Sequence, residues 1–132
     1  MASLRRSVAG QALVEAALVM PLLVLMTLGV LQVVLYAHAR DVLLAATQDG
    51  ARLAAEDGGT LAAGYARVQS LAAAGLGSSI QPLHLRCRCD TNHVDLSLDT
   101  ALRAIVPLPF AADLPVHVRA SVTRERFRPG GG

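Results

Sequence analysis

From Ala16 to Ala37 the chain carries no charged side chain, and before the closing Tyr36 only Thr27 and Gln32 interrupt its apolar character. Coiled as a helix at about 1.5 Å per residue, this run is roughly 33 Å long. That length matches the roughly 30 Å hydrocarbon core of a bilayer. Burying such a helix within a protein would require a shell of apolar partners on every side. The rest of the chain, roughly 90 residues, supports only a modest core. Aromatic residues make up only 3% of the sequence, so the large side chains that usually fill a core are scarce. The run therefore reads as a membrane-spanning helix.

The flanks give its orientation. Arg5 and Arg6 precede the run, whereas Arg40 on the far side is followed at once by Asp41. The positive excess is N-terminal, which places the N-terminus in the cytoplasm and the rest of the chain outside it. Tyr36 falls at the far interface, where an amphipathic ring is favoured. Two alternatives stand beside this reading. One is a secreted protein whose signal peptide is cut near Ala39, at the small-x-small site Ala37-His38-Ala39. The apolar run is longer than the 7 to about 15 residues of a signal-peptide core. The other is a plain single-pass anchor for an extracytoplasmic binding domain.

Glu15 stands at the head of the run. A charge at the bilayer centre costs about 2.5–3.5 kcal/mol on insertion scales. Near the interface the cost is smaller, and an acid there meets the positive end of the helix dipole. A carboxylate reaching the headgroups would explain Glu15 alone, but it comes with Arg5-Arg6, then Gly10, then the long apolar helix. The stretch GQALVEAALVMPLLVLMTLGV, through Gly10, Val14, Glu15, Pro21, Leu22 and Leu23, resembles the N-terminus of the TadE-like family, pseudopilins of tight-adherence (Flp) pilus assembly. The resemblance implies a pilin-like α+β fold and cleavage by a prepilin peptidase between Gly10 and Gln11. It also implies a role for Glu15 in subunit assembly, pairing with the freed terminal amine of a neighbouring pilin-like subunit. A carboxylate in an apolar setting is tolerated when a cation meets it. Val14, Pro21, Leu22 and Leu23 complete the membrane-helix motif, with Pro21 expected to bend the helix.

Beyond the membrane the pattern gives helices, then strands. Residues 1–10 read as a cytoplasmic leader, 11–39 as the transmembrane helix, 40–78 as an extracytoplasmic helical region, 79–128 as an antiparallel β domain and 129–132 as a flexible tail. In the helical region Val42, Leu43, Ala46, Leu53 and Ala54 lie near one face, with Gly50 a weak point and Gly58-Gly59 a stop. A second helix opens at a Thr60 N-cap, carries Leu61, Tyr65, Val68 and Leu71 or Ala72 on one face, and ends at Gly75 and Gly77. From Ile80 the period becomes two. A loop at Asp90-Thr91-Asn92-His93 sets Cys89 opposite Val94, Cys87 opposite Leu96 and Leu85 opposite Leu98. The same register sets Arg88 opposite Asp95 and His84 opposite Asp99 on the other face. Val116, Val118, Ala120 and Val122 mark a third strand, after a Pro-rich connection spanning residues 105–115.

No catalytic constellation is visible: there is no nucleophile elbow, phosphate-cradling glycine loop or nucleophile–base pair. No enzymatic activity, cofactor or small-molecule substrate is expected. Without a Lys/Arg block interleaved with aromatics, nucleic-acid binding has no support. Cys87 and Cys89 lie near His84 and His93, but this is not a zinc spacing and no second cysteine pair exists, so no metal is expected. An extended backbone would strain a disulfide between the two, so a pair of buried free thiols is the preferred reading, while a location outside the cytoplasm leaves an oxidised pair open.

Overall fold

The computed structural model describes residues 2–108 and 111–124, with side chains for 10–104 and 113–124; the expected tail at 129–132 lies outside the described residues. The elements follow in the order α1 (Ala2–Ala55), α2 (Leu61–Leu76), a 3-10 turn (Gly77–Ser79), β1 (His84–Cys89), β2 (His93–Leu108) and β3 (Ala111–Thr123). This is the α+β arrangement of a long apolar N-terminal helix, a further helix and a small antiparallel sheet. By contacts the chain divides into two units, Met1–Val34 and Leu35–Gly132.

The first unit is helix alone. Every side chain from Gly10 through Thr27 is exposed, Leu13 and Leu18 each at 72%. The helix runs unbroken through Pro21, whose ring removes one intrahelical hydrogen bond. Thr27 adds no unpaired polar group, since its Oγ1 donates to the carbonyl of Leu23 at 2.8 Å.

The second unit has a layer of helix over one face of the sheet. Strand order is β1-β2-β3, antiparallel throughout. The register of β1 on β2 is the one alternation predicts, including Cys87↔Leu96 and Arg88↔Asp95. Leu96, Leu98, Val116, Val118 and Ala120 face inward against Ala39, Leu43, Ala46, Ala54, Val68 and Ala72 of the helices. Leu43, Val68, Leu96 and Leu98 are fully buried. Each such side chain contributes roughly 1.5–3 kcal/mol relative to exposure. Thr60 caps α2 as expected, its side chain accepting from the Ala63 amide at 3.2 Å.

The structure revises several sequence expectations. The segment at 105–115 is largely strand: β2 and β3 continue through it, with a register shift between Arg103 and Leu108. Irregular pairing is where a strand accommodates proline. Pro115 is accommodated differently. Arg124 N donates to Asn92 O at 2.8 Å, so the even-numbered residues of β3 bond to β2 and the odd ones face the free edge. The missing N–H of Pro115 therefore breaks no ladder bond, and its carbonyl accepts from Tyr36 Oη at 3.1 Å.

The glycines of the helical region are also revised. Gly50 is a point of close approach, since a Cβ there would collide with Val68 Cγ2 and lie 2.7 Å from the Gly64 carbonyl oxygen. A Cβ at Gly64 would lie 2.7 Å from the Gly50 carbonyl oxygen and 3.0 Å from Ala54 Cβ. Gly75 is inside α2, close against Val42 Cγ1, and the helix is capped by Gly77 with φ 55°. The buried stripe of α2 is accordingly Gly64, Val68 and Ala72, while Leu61 is exposed at 36%. Small residues let the backbones meet, and that closeness displaces the larger side chains to the flanks.

Gly64→Val should therefore lower stability by about 1–3 kcal/mol through overpacking. Gly29→Val, where a new Cβ meets nothing within 4 Å, should leave domain unfolding unchanged. Urea unfolding of the full chain in detergent, followed by circular dichroism, checks both. Equal midpoints for the two variants would contradict the close helix approach.

Candidate functional site

The residues singled out at the head of the apolar run come together through helical period alone. Gly10, Gln11, Val14, Glu15 and Leu18 line one shallow groove along α1. Offsets of four and eight residues from Gly10 place Val14 and Leu18 nearly above one another. Leu18 joins the predicted set, having carried no signal beyond its apolarity. Leu22, four residues further, continues the stripe, and Leu23 turns about 100° away from it at 3.6 residues per turn. Pro21 lies within the same unbroken helix.

Two features of this stripe are not demanded by folding. The first is Gly10, which is helical, exposed and open: a Cβ built there meets nothing within 4 Å. Glycine in a helix interior is about 1 kcal/mol less favourable than alanine, so packing and conformation both leave this choice unexplained. Close approach of another molecule to the backbone would explain it. The second is Glu15, whose side chain is exposed in the groove beside Gln11, Val14 and Leu18. Among the described residues it takes part in no ion pair.

The solvent face of the sheet carries the remaining charge. Asp95 lies opposite Arg88 and Asp99 opposite His84, as the alternation predicts. Their side-chain partners come from the other neighbouring strand. Arg119 Nη2 reaches Asp95 Oδ2 at 3.1 Å, and His117 Nδ1 meets Asp99 Oδ1. A central strand has a neighbour on each side, and the register with β1 alone does not choose between them. Hydrogen bonds from Ser121 and then Arg119 hold the Asp95 carboxyl below its ordinary value.

Of the two readings of the cysteines, the preferred one of buried free thiols is corrected in favour of the oxidised pair. Cys87 and Cys89 form a disulfide, with Cys87 half-buried and Cys89 exposed. Their Cα atoms are 5.6 Å apart, whereas two residues of ideal strand span about 6.6 Å. The strand is contracted at its end, which brings the pair into the usual disulfide range. Among the described residues, no group of three His, Cys, Asp or Glu side chains is placed to hold a metal ion.

A lowered Asp95 contributes stability above the unfolded carboxyl value of about 3.9 and loses it as pH falls through the folded value. In a carboxyl NMR titration Asp95 should have its midpoint below the ordinary 3.8. The midpoint should move upward in Ser121→Ala. A wild-type midpoint at or above the ordinary value would contradict the assignment.

Among the described residues one helix, within Gly10–Ala55, is long and apolar enough to cross a membrane. Residues 10–52 match the TadE-like protein family, the family that this stretch resembles; α2 and the sheet lie outside the match. No curated protein and no solved structure matches the chain.

Proposed function

Starting from a TadE-like segment on a membrane-competent helix, we propose that this protein is a minor pseudopilin working in assembly of a tight-adherence (Flp-type) pilus or a related secretion apparatus. It acts by subunit association and not by catalysis. Its N-terminus is cytoplasmic and its α+β domain extracytoplasmic, following the Arg5-Arg6 excess before the helix. A prepilin peptidase cuts between Gly10 and Gln11. Glu15 then meets the terminal amine of an adjoining pilin-like subunit. The observation that carries this reading is the single stripe holding Gly10, Gln11, Val14 and Glu15 on an exposed apolar helix. It combines a glycine that packing does not require with a carboxylate that has no ion-pair partner among the described residues.

The signal-peptide reading fits less well. Its cut would fall after Ala39, which is in the interior of α1 and 2% exposed in the core beside Leu43. Cleavage there would also remove Tyr36, whose hydroxyl donates to the Pro115 carbonyl.

Glu15→Gln should spare membrane insertion, because removing a charge eases entry into lipid. It should weaken recovery of other pilin-like subunits. Breaking one side of a buried pair costs about 3–5 kcal/mol, and hydration near the interface reduces this, so a several-fold loss is expected. Crosslinking through the membrane helix at matched expression measures it. Equal crosslinking in wild type and variant would leave Glu15 as an acid at the headgroups.

A further inference from the structure

His84, Arg86 and Arg88 alternate along the edge strand β1 on the solvent face of the sheet, and all three are exposed. The register sets Asp99 opposite His84 and Asp95 opposite Arg88, yet β3 takes both acids. Arg119 Nη2 lies 3.1 Å from Asp95 Oδ2, Ser121 adds a hydrogen bond to the same carboxyl, and His117 holds Asp99. Among the described residues Arg86 and Arg88 therefore make no ion pair. Charges that serve only to blunt a sheet edge have no need to converge, whereas these face a cation from the opposite edge. Ser97 lies between Arg86 on β1 and Arg119 on β3 in one cross-strand row. Strands about 4.8 Å apart place those two backbones about 9.6 Å apart. The side chain between them is short, and its Oγ donates to the Arg86 carbonyl at 3.4 Å. A shallow basin of about 380 Å³ results over Ser97, lined by Arg86, Arg88, Arg119 and His117, with Asp95 as the acid.

We propose that this basin is a binding site for a phosphate group, held by Arg86 and Arg88 from β1 and by Arg119 from β3. Guanidiniums present planar forks of N–H donors that match phosphate oxygens. Arg86 and Arg88 stand on the same strand face, about 6.6 Å apart along it. Arg119 completes the site from the far side, since its bond to Asp95 leaves further N–H donors on the same guanidinium. Charge sets the ligand class. Arg119 and Asp95 offset each other, and the charges of Arg86 and Arg88 stay unmatched. A phosphate monoester carries about −1.5 to −2 at pH 7 and answers both, whereas a single carboxylate answers one. No large apolar side chain lines the basin, so recognition rests on the anion and not on an apolar body attached to it. Soluble phosphates and lipid headgroups share this chemistry, and the arms of the test separate them. The inference rests on the sheet alone and is independent of the partner that meets α1.

The test follows the arginine Nε–H and sheet amide NMR signals of the isotope-labelled full chain, folded in phosphate-free maltoside micelles at constant ionic strength. Added inorganic phosphate should shift the Arg86, Arg88 and Ser97 signals saturably, and acetate should shift them far less. Shifts that do not saturate, or that acetate reproduces, would overturn the proposal. Read at the Ser97 amide, the Arg86→Gln/Arg88→Gln double variant should bind phosphate at least several-fold more weakly at an unchanged urea midpoint. Arg67→Gln, which removes a guanidinium paired with Asp49 on the helices, should bind as the wild type does. Equal binding by the double variant and the wild type, or equal losses in both variants, would show diffuse charge in place of a site and overturn the proposal. Nanodiscs of phosphatidylglycerol identify the source: the same shifts without added phosphate assign a lipid headgroup, and shifts only on adding inorganic phosphate assign a soluble ligand.

Discussion

A single helix meets two different surroundings along its length, and that constraint organises the rest of the structure. From Gly10 through Thr27 every side chain of α1 is exposed, and nearly all are apolar. From Ala39 the same helix supplies buried residues to a core, with Leu43, Ala46, Ala51 and Ala54 beneath the sheet or α2. A continuous hydrogen-bonded helix is one of the few backbones that satisfies its polar groups in lipid. In water, few of its residues would be held by intrinsic propensity alone, and packing of the inner face supplies most of the stability. The alanine-rich composition of the helices follows from the second setting: backbones that meet at Gly50 and Gly64 leave room for little beyond a methyl group.

That arrangement does not itself account for Gly10 and Glu15 at the head of α1. Gly10 neither relieves a clash nor adopts a positive φ, and Glu15, at the head of the apolar run, has no ion-pair partner among the described residues. In a soluble surface helix neither feature would need explanation. On a helix of this apolarity both are unfavourable in isolation, and the proposed processing enzyme and cationic partner would together account for them. The charged face of the sheet differs, since Asp95 and Asp99 already have partners on β3.

Much of this was legible in the sequence because the signals were periodic. The apolar run, the Thr60 cap and the alternation on either side of Asp90 each point to one structure, and the β1–β2 register follows when apolar pairs and charge pairs agree. What was not legible depended on the absence of a side chain or on a choice between neighbours. Gly50 and Gly75 read as breaks because glycine lowers local helix propensity, and Gly64 carried no signal, yet close packing needs all three. Pro115 read as part of a connection because proline cannot donate to a ladder, and only the parity of the hydrogen bonds shows that its donor position faces outward. Cys87 and Cys89 read as separate because an ideal strand keeps them apart, while the end of β1 is contracted. Of the candidate site, the motif was legible from residue spacing. Its placement on one exposed stripe follows from helical period over residues 10–18, and only Leu22 and Leu23 depend on the helix continuing through Pro21.

The central claim is that the apolar helix is retained as a membrane segment and trimmed at its cytoplasmic end. Intact mass of the mature protein, isolated from membranes of cells carrying the pilus assembly machinery, tests it most directly. The account predicts a chain that begins at Gln11 and keeps the whole apolar run. A mature chain beginning at Arg40 would contradict it.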